Sequence, residues 1–525
     1  MAFLTGGILY YLDRIMGKTT GSATYDPAYD SNEAISEAIA GIGGSSNQTF
    51  TATETEPCVA GDIACMTSDG GVIPFSSLVP AEVTVVGGEL DNAISGNDPE
   101  SAVAWINNNV FVQALDDADG GNDLTLVPCR QEPDGTTTVG SNFIVVAGTC
   151  DTPDVCGIGN NRGVVVNEEG GGTVNAHAFQ LTPSTLYLSF GAVDVLEAVA
   201  TTGLAITDVD DDKFCAIYQD GTNADGNLIA CTVNSSTLAI TTGTKASIGP
   251  GNISTTVICK VDTDLIACGY RDTVSFDNFC NIADTTDIDS LSVGGDTEYA
   301  DAITGVSTAI TATDATHIVI FYSQSAPAVA SYCIAASIST VTPTFGSAVP
   351  IGENTDGVQR DQITTIDSSH VLVAYENSTK NTAGKSVLSL AGTVITAGAI
   401  SYLANDIMQV ANRAYGKCLD INDYNDIVLI GNNGTLTYAV MFDVGWVDET
   451  YTLSDISGVA SDASGTIIVD GIDEGNASGE DSRLTYGFDS GYSCVREKGH
   501  SQILARGYVP RVRVVDVDTL KAIGG

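Results

Sequence analysis

Positive charge is scarce in this chain: 20 Lys and Arg, only nine of them Lys, face 66 Asp and Glu, for a formal net charge of −46 over 525 residues. That balance excludes sequence-independent nucleic-acid binding, which needs a basic surface to displace counterions from phosphates. No run of 18 apolar residues occurs, so no helix is expected to cross a membrane. Cys numbers thirteen, an odd count, and none falls in a CxxC pair, which argues against a zinc site and against a complete disulfide framework. The first twenty residues, MAFLTGGILYYLDRIMGKTT, have no basic stretch ahead of their short apolar piece, so they read poorly as a signal peptide. The sequons at Asn47 and Asn377 therefore carry little meaning. GKTT at 17–20 resembles the end of a phosphate loop, but the glycine required five residues earlier is Leu12. HExxH, GxSxG and a complete EF-hand loop are all missing.

What the chain has in quantity is Gly, Thr, Ala, Val, Ile and Asp, with an ordinary hydrophobic content of 43%. This mixture favours strands and tight turns and is too apolar for a disordered acidic segment. A Lys-poor, Asp-rich surface suits a saline or marine medium, where salt screens self-repulsion.

TIDSSHVLVAY at 365–375 echoes ATDATHIVIFY at 312–322, KVDTDLIACGY at 260–270 and DVDDDKFCAIY at 208–218. The shared Asp recurs as Asp210, Asp262, Asp314 and Asp367, at intervals of 52, 52 and 53 residues. A step of 56 residues forwards reaches Asp423, and steps of 50 and 53 backwards reach Asn160 and Asn107. Each of these seven units sets a polar turn before a short apolar strand, and four of the strands end on Tyr218, Tyr270, Tyr322 or Tyr375. Periods near this length with about four short strands each predict propeller blades. The expected fold class is all-β: a seven-bladed β-propeller with small flanking β regions and a short N-terminal anchor.

The repeated Asp or Asn is turn chemistry, because these side chains bond their own backbone two residues on and tolerate left-handed conformations. His317 and His370 occupy equivalent places three residues after the marker, where other units have Lys213 or Leu265. A catalytic histidine would not be copied into a neighbouring blade, so both read as structural. Cys129, Cys231, Cys280 and Cys333 each fall in the second apolar strand after their marker, and Cys215 and Cys268 lie in first strands; such thiols behave as small buried hydrophobes. Cys150 with Cys156, and Cys58 with Cys65, could each close a local disulfide or stay reduced.

The chain divides into an anchor and linker at 1–49 (a short helical candidate, then GIGGSSNQT), a small β unit at 50–97, the propeller at 98–455 and a C-terminal β segment at 456–525. Six basic residues crowd the last thirty: Arg496, Lys498, Arg506, Arg511, Arg513 and Lys521. Arg506, Arg511 and Arg513 are the candidates for docking against an acidic neighbour. SCVREKGHSQILARGYVP at 493–510 can be laid against 57–74, since both have Cys-Val near the start and a Pro sixteen residues after the Cys. Related folds for the two flanks would make the propeller an insertion in a small β domain.

Two acidic groups could hold calcium: Asp208, Asp210 and Asp212 alternate, and Asp116, Asp117, Asp119 and Asp123 crowd one loop. Hard cations want several converging oxygens, and a solvated acidic hairpin is the plainer reading of either. A sialidase-like propeller would need several Asp boxes and a cluster of three Arg. SDASGTI at 461–467 lacks the aromatic of such a box, and Arg130, Arg162, Arg271, Arg360 and Arg413 are scattered. General acid/base pairs cannot be picked from so many carboxylates.

The GD-I-x-C-x-x-x-DGGVIP phrase, with Gly61, Asp62 and Asp69 to Pro74, is similar to short β modules of phage tail and head-fibre proteins. The order of short anchor, linker, small β unit and propeller resembles virion structural proteins of tailed viruses, in arrangement rather than through a diagnostic motif. The resemblance implies a non-enzymatic fibre, spike or decoration protein, made in the host cytoplasm and carried in the virion. It would form homo-oligomers, dock on other virion proteins through its termini and present the propeller to a host-surface glycan or protein. No nucleic acid, membrane insertion or cofactor is implied, calcium at the acidic groups aside. The alternatives are a glycan-processing enzyme, whose acids and aromatics would converge at the propeller's axial mouth, and an extracellular adhesin.

Overall fold

The computed structural model describes residues 49–52, 63–66, 71–74, 79–95, 467–469 and 511–515, and residues 101–447 apart from 118–121, 132–136, 149, 170–171, 200, 223, 250, 302–306, 325–329, 352–357, 378–381, 404–408, 411–416, 423–425 and 433–435. Among the described residues every regular element is a strand. They belong to two compact units, one built from the two flanks and one from the central repeats.

The central unit consists of seven antiparallel sheets of five strands each, a seven-bladed β-propeller. Blades 1 to 6 span 101–146, 150–197, 201–248, 253–300, 308–351 and 358–402. In each, three consecutive strands pair in chain order, and two short strands then share the outer edge, pairing with opposite halves of the third. Blade 7 is assembled from both sides of the repeat. Asp426–Asn432 and Leu436–Val447 form its middle, and its outer strand is Val79–Ser95, which precedes blade 1 in the chain. This pairing closes the ring by completing the last blade with a strand from the other side of the repeat. It also corrects the reading of 50–97 as one β unit, because 79–95 is propeller. The repeat gave no hint of it, since this strand carries no turn marker.

The markers behave as turn residues. Asp210 Oδ1 accepts the Asp211 amide (2.7 Å), Asp314 Oδ1 the Thr316 amide (2.6 Å) and Asp367 Oδ1 the Ser369 amide (2.7 Å). Asn107 Oδ1 accepts two amides, from Asn109 and Val110, at 2.8 Å each. Asp314 pairs with His317 and Asp367 with His370 across two-residue turns, and each His Nδ1 lies 3.0 or 2.9 Å from its own Asp. Both histidines are local turn partners. Asp423 lies outside the described residues.

Burial occurs between blades. Each hydrophobic core draws on two adjacent sheets, and Trp105, Phe111, Cys418, Val428 and Met441 close the circuit between blades 7 and 1. Fully burying each such Val, Ile, Leu or Phe side chain contributes about 1.5–3 kcal/mol. The four strand-end tyrosines are all buried. Tyr270 donates its hydroxyl to Asp296 Oδ1 at 2.6 Å, and Tyr218 donates to Glu197 Oε2 of blade 2 at 3.2 Å.

The ten described cysteines are buried, and Cys150 and Cys156 form no disulfide with each other. Cys58 and the Cys65 side chain lie outside the described residues. Burial pushes the Cys129, Cys231 and Cys268 thiols up to about 12, so thiolate is scarce at neutral pH. These ten cysteines should therefore resist iodoacetamide in native buffer, reacting at least ~100-fold more slowly than in denaturant. Peptide mapping by mass spectrometry checks this, and rapid native labelling of Cys215 or Cys268 would contradict the packing.

The flanking unit is a closed five-stranded barrel. Thr49–Ala52, Gly71–Pro74 and Ile63–Met66 come from the N-terminal side, and Arg511–Val515 and Ile467–Val469 from the C-terminal side. Ile63 pairs with Arg513 and Cys65 with Arg511, so strands from opposite flanks of the repeat share one sheet. In sequence, the propeller is therefore inserted within the barrel.

Candidate functional site

The innermost strands of all seven blades surround a central channel of about 420 Å³. An innermost strand has no further strand beside it, so its channel-side amides need other acceptors. Side chains of the neighbouring blade supply them. Asp154 Oδ2 of blade 2 accepts the Ile206 amide of blade 3 (2.8 Å), and its Oδ1 accepts the adjacent Val155 amide (3.0 Å). Asp420 Oδ2 of blade 7 accepts the Trp105 amide of blade 1, and Gln362 Oε1 of blade 6 accepts the Cys418 amide of blade 7, both at 2.8 Å. Thr365 donates its hydroxyl to the Ala312 carbonyl of blade 5 (2.6 Å). The channel's polar groups tie blade to blade.

Two ammonium groups enter this space. Lys260 Nζ lies 3.0 Å from Asp208 Oδ2, and Lys417 Nζ lies 2.5 Å from Asp420 Oδ1. Burial alone would lower the Lys417 pKa, but Asp420, then Asp208 and Asp154, outweigh it and hold the ammonium above its usual range. The Lys417 side chain is 48% exposed, yet that exposure is to a channel walled by seven strands. Screening there is weaker than on the outer surface, so the ion pair is stronger than an ordinary surface pair. Cys156 and Cys259 also line the channel. Burial pushes both thiols up, with Asp208 and Asp154 adding to the effect on Cys156, so neither is a ready nucleophile. No histidine is among the described lining residues. What the arrangement does chemically is neutralise its own charges and cap its own backbone.

The scarce lysines follow one rule. Lys213 of blade 3 meets Asp264 of blade 4 at 2.5 Å, Lys245 of blade 3 meets Glu197 of blade 2, and Lys260 of blade 4 meets Asp208 of blade 3. Lys385 of blade 6 donates to the Val83 carbonyl in the closing strand. Four of the five described lysines bridge neighbouring blades; Lys417 pairs within blade 7 and faces the channel. A chain with nine Lys offered a short enough set to single these out. Their partners, however, lie a whole blade or most of the ring away along the chain, beyond the reach of local motifs.

The acids expected to bind calcium are dispersed. Asp208 faces Lys260, Asp210 caps its own turn, and the Asp212 carbonyl accepts the Val233 amide. Asp116 is buried in blade 1, and Asp119 lies outside the described residues. Among the described residues, the acids whose oxygens converge within 4.8 Å are instead Asp277, Glu298 and Asp301 on blade 4. Glu298 is held above its usual range by burial, with Asp277 and Asp301 repelling its charge. Of the docking candidates, Arg511 and Arg513 fall on a barrel strand whose side chains are not among those described, and Arg506 lies outside the described residues.

No protein-family model matches the chain, and no curated protein matches it. Solved structures similar to it include the β-propeller domain of the Trilobed protease from Pyrococcus furiosus, at 10% identity over 66% of this chain and 97% of that one, with a TM-score of 0.39. A mutant of the Aleuria aurantia lectin in complex with Fucα1-6GlcNAc is 11% identical over 58% of this chain and 96% of the lectin, with a TM-score of 0.37. A mutant of AofleA from Arthrobotrys oligospora is 12% identical over 64% and 94%, with a TM-score of 0.38. At these values the likenesses carry no argument about activity or ligand, and the fold assignment stands on the strand pairing of this chain.

Proposed function

We propose that the chain is a non-catalytic structural protein that assembles through its flanking barrel and displays the propeller as an attachment surface, in a particle of the tailed-virus kind. The observation that carries this reading is the barrel, where strands from both flanks of the repeat close one small sheet around a large insertion. Such an arrangement suits a base that docks and a module that is shown. The channel supports the non-catalytic half of the reading, because Asp154 and Asp420 are taken up by backbone amides and Asp208 and Asp420 by ammonium groups. The attachment partner is a host-surface glycan or protein, and the basic C-terminal segment complements acidic neighbours on the particle.

The test is light scattering of the full chain in about 0.5 M salt, where long-range self-repulsion is screened, beside Val512→Pro. Val512 pairs with Ala64 inside a barrel strand, and proline there removes a ladder donor. A defined oligomer that becomes monomeric in the variant, with the main thermal transition kept, is the expected result. A wild-type monomer would overturn assembly through the barrel. Turnover in a glycan-hydrolysis screen would overturn the non-catalytic assignment in favour of the enzyme.

A further inference from the structure

One buried carboxylate stands where other blades place no charge. The residues that pair with the position before each strand-end tyrosine are Ala205, Val257, Ala309 and Gln362. The residue just ahead of them is Leu204, Thr256 and Thr308 in blades 3, 4 and 5, all buried, and Asp361 in blade 6. Asp361 is 1% exposed. Neither of its oxygens has a hydrogen bond of normal geometry, although the Ser323 hydroxyl and amide lie nearby. Its own amide donates to Ser307 Oγ at 2.7 Å, which fixes it against blade 5. Ser323 pairs directly with Ser331 across blade 5, and the Ser331 hydroxyl is likewise buried without a partner. The ionisable neighbours from the packed elements are Tyr299 and Cys333, and no Lys, Arg or His among the described residues is bonded to the carboxylate. Burial raises this carboxyl to about 8, the Ser323 hydroxyl and amide offsetting only part of the effect.

An uncompensated buried carboxylate is costly, and a repeat that uses Leu or Thr elsewhere shows that the position does not require one. We propose that Asp361 anchors an internal site for a hard monovalent cation, sodium in the first instance, between blades 5 and 6. The donors are all oxygen: the carboxylate and the hydroxyls of Ser323 and Ser331, the set that hard cations prefer. A single negative charge calls for a single positive one; a divalent ion would leave net charge buried. The site is independent of the assembly reading, and either can fail without the other.

The test is thermal unfolding of the full chain at about pH 9, above the carboxyl's raised value, in NaCl or in choline chloride at matched concentrations from ~10 to ~500 mM. Choline reproduces the screening but is too large to enter. Wild type should melt several degrees higher in NaCl, by roughly 3–6 °C at the top of the range. That excess should vanish in Asp361→Thr, which installs the residue of blades 4 and 5, and shrink in Ser331→Ala. Sodium-23 relaxation should be enhanced by wild type beyond either variant, and it decides the matter should Asp361→Thr not fold. Equal melting in the two salts, or a sodium excess that survives Asp361→Thr, would overturn the site. So would Asp361→Thr stability above wild type in both salts without a sodium effect, which would make Asp361 a proton holder only. Stabilisation by ~1 mM calcium without a sodium response would overturn the monovalent assignment.

Discussion

Gly294→Ala is expected to lower stability by about 3 kcal/mol or more, a Tm loss of roughly 4 °C or more for a domain of this size. Gly294 lies between the two short strands that share the outer edge of blade 4, and its amide donates to the Ile282 carbonyl at 2.8 Å. A Cβ at that point would sit closer than 3.0 Å to the Val341 carbonyl oxygen, which belongs to blade 5. The obstacle is backbone from another sheet, so rotamer changes cannot relieve it, and the blades must separate locally. Gly191, Gly243 and Gly346 occupy the same place, and Cβ atoms there would meet the carbonyls of Leu238, Ile288 and Thr393 in their next blades. Gly295, immediately adjacent, has open space where its own Cβ would sit, so Gly295→Ala is the control. Circular-dichroism melts of the two variants decide it; a Gly294→Ala midpoint within a degree of wild type would mean that the blades are not held at this distance.

Those glycines show what the sequence disclosed and what it hid. Gly140, Gly191, Gly243, Gly294, Gly346 and Gly398 recur every 51 or 52 residues, as regular a signal as the Asp markers and one that points to contact between blades. The markers were legible because each acts within three residues of itself: Asp314 holds the Thr316 amide, and Asp367 holds the Ser369 amide and His370. Seven turns at a common period then implied seven sheets. The closing strand was not legible, because Val79–Ser95 takes its identity from Leu436–Val447, on the far side of the whole repeat. The same limit hid the channel. Lys417 and Asp420 come from blade 7 and Asp154 from blade 2, and only closure of the ring brings Asp154 near the other two. Clusters chosen for local acid density, such as Asp208 with Asp210 and Asp212, were separated because a register shift falls between Asp208 and Asp210, Asp210 caps its own turn and Asp212 lies in that turn.

The channel itself yields the second large effect. Lys417→Met should cost about 2–4 kcal/mol at pH 7, toward the lower end for breaking a buried ion pair because the ammonium reaches water inside the channel. Met keeps the apolar stem of the side chain, so the loss reports charge. Asp420 and Asp154 retain their amide partners, Trp105 and Ile206, but with Asp208 they then face one another with Lys260 as the remaining nearby cation. Proton uptake relieves that repulsion, so the deficit should be fully present at pH 7 to 8 and shrink as pH falls through the carboxylate range towards 4. Melting midpoints of wild type and variant from pH 4 to 8, at low and high salt, provide the measurement. A deficit that does not vary with pH would assign Lys417 a packing role alone. A deficit that converges at low pH would establish that this ammonium is the counter-charge that lets three acids from three blades line one channel.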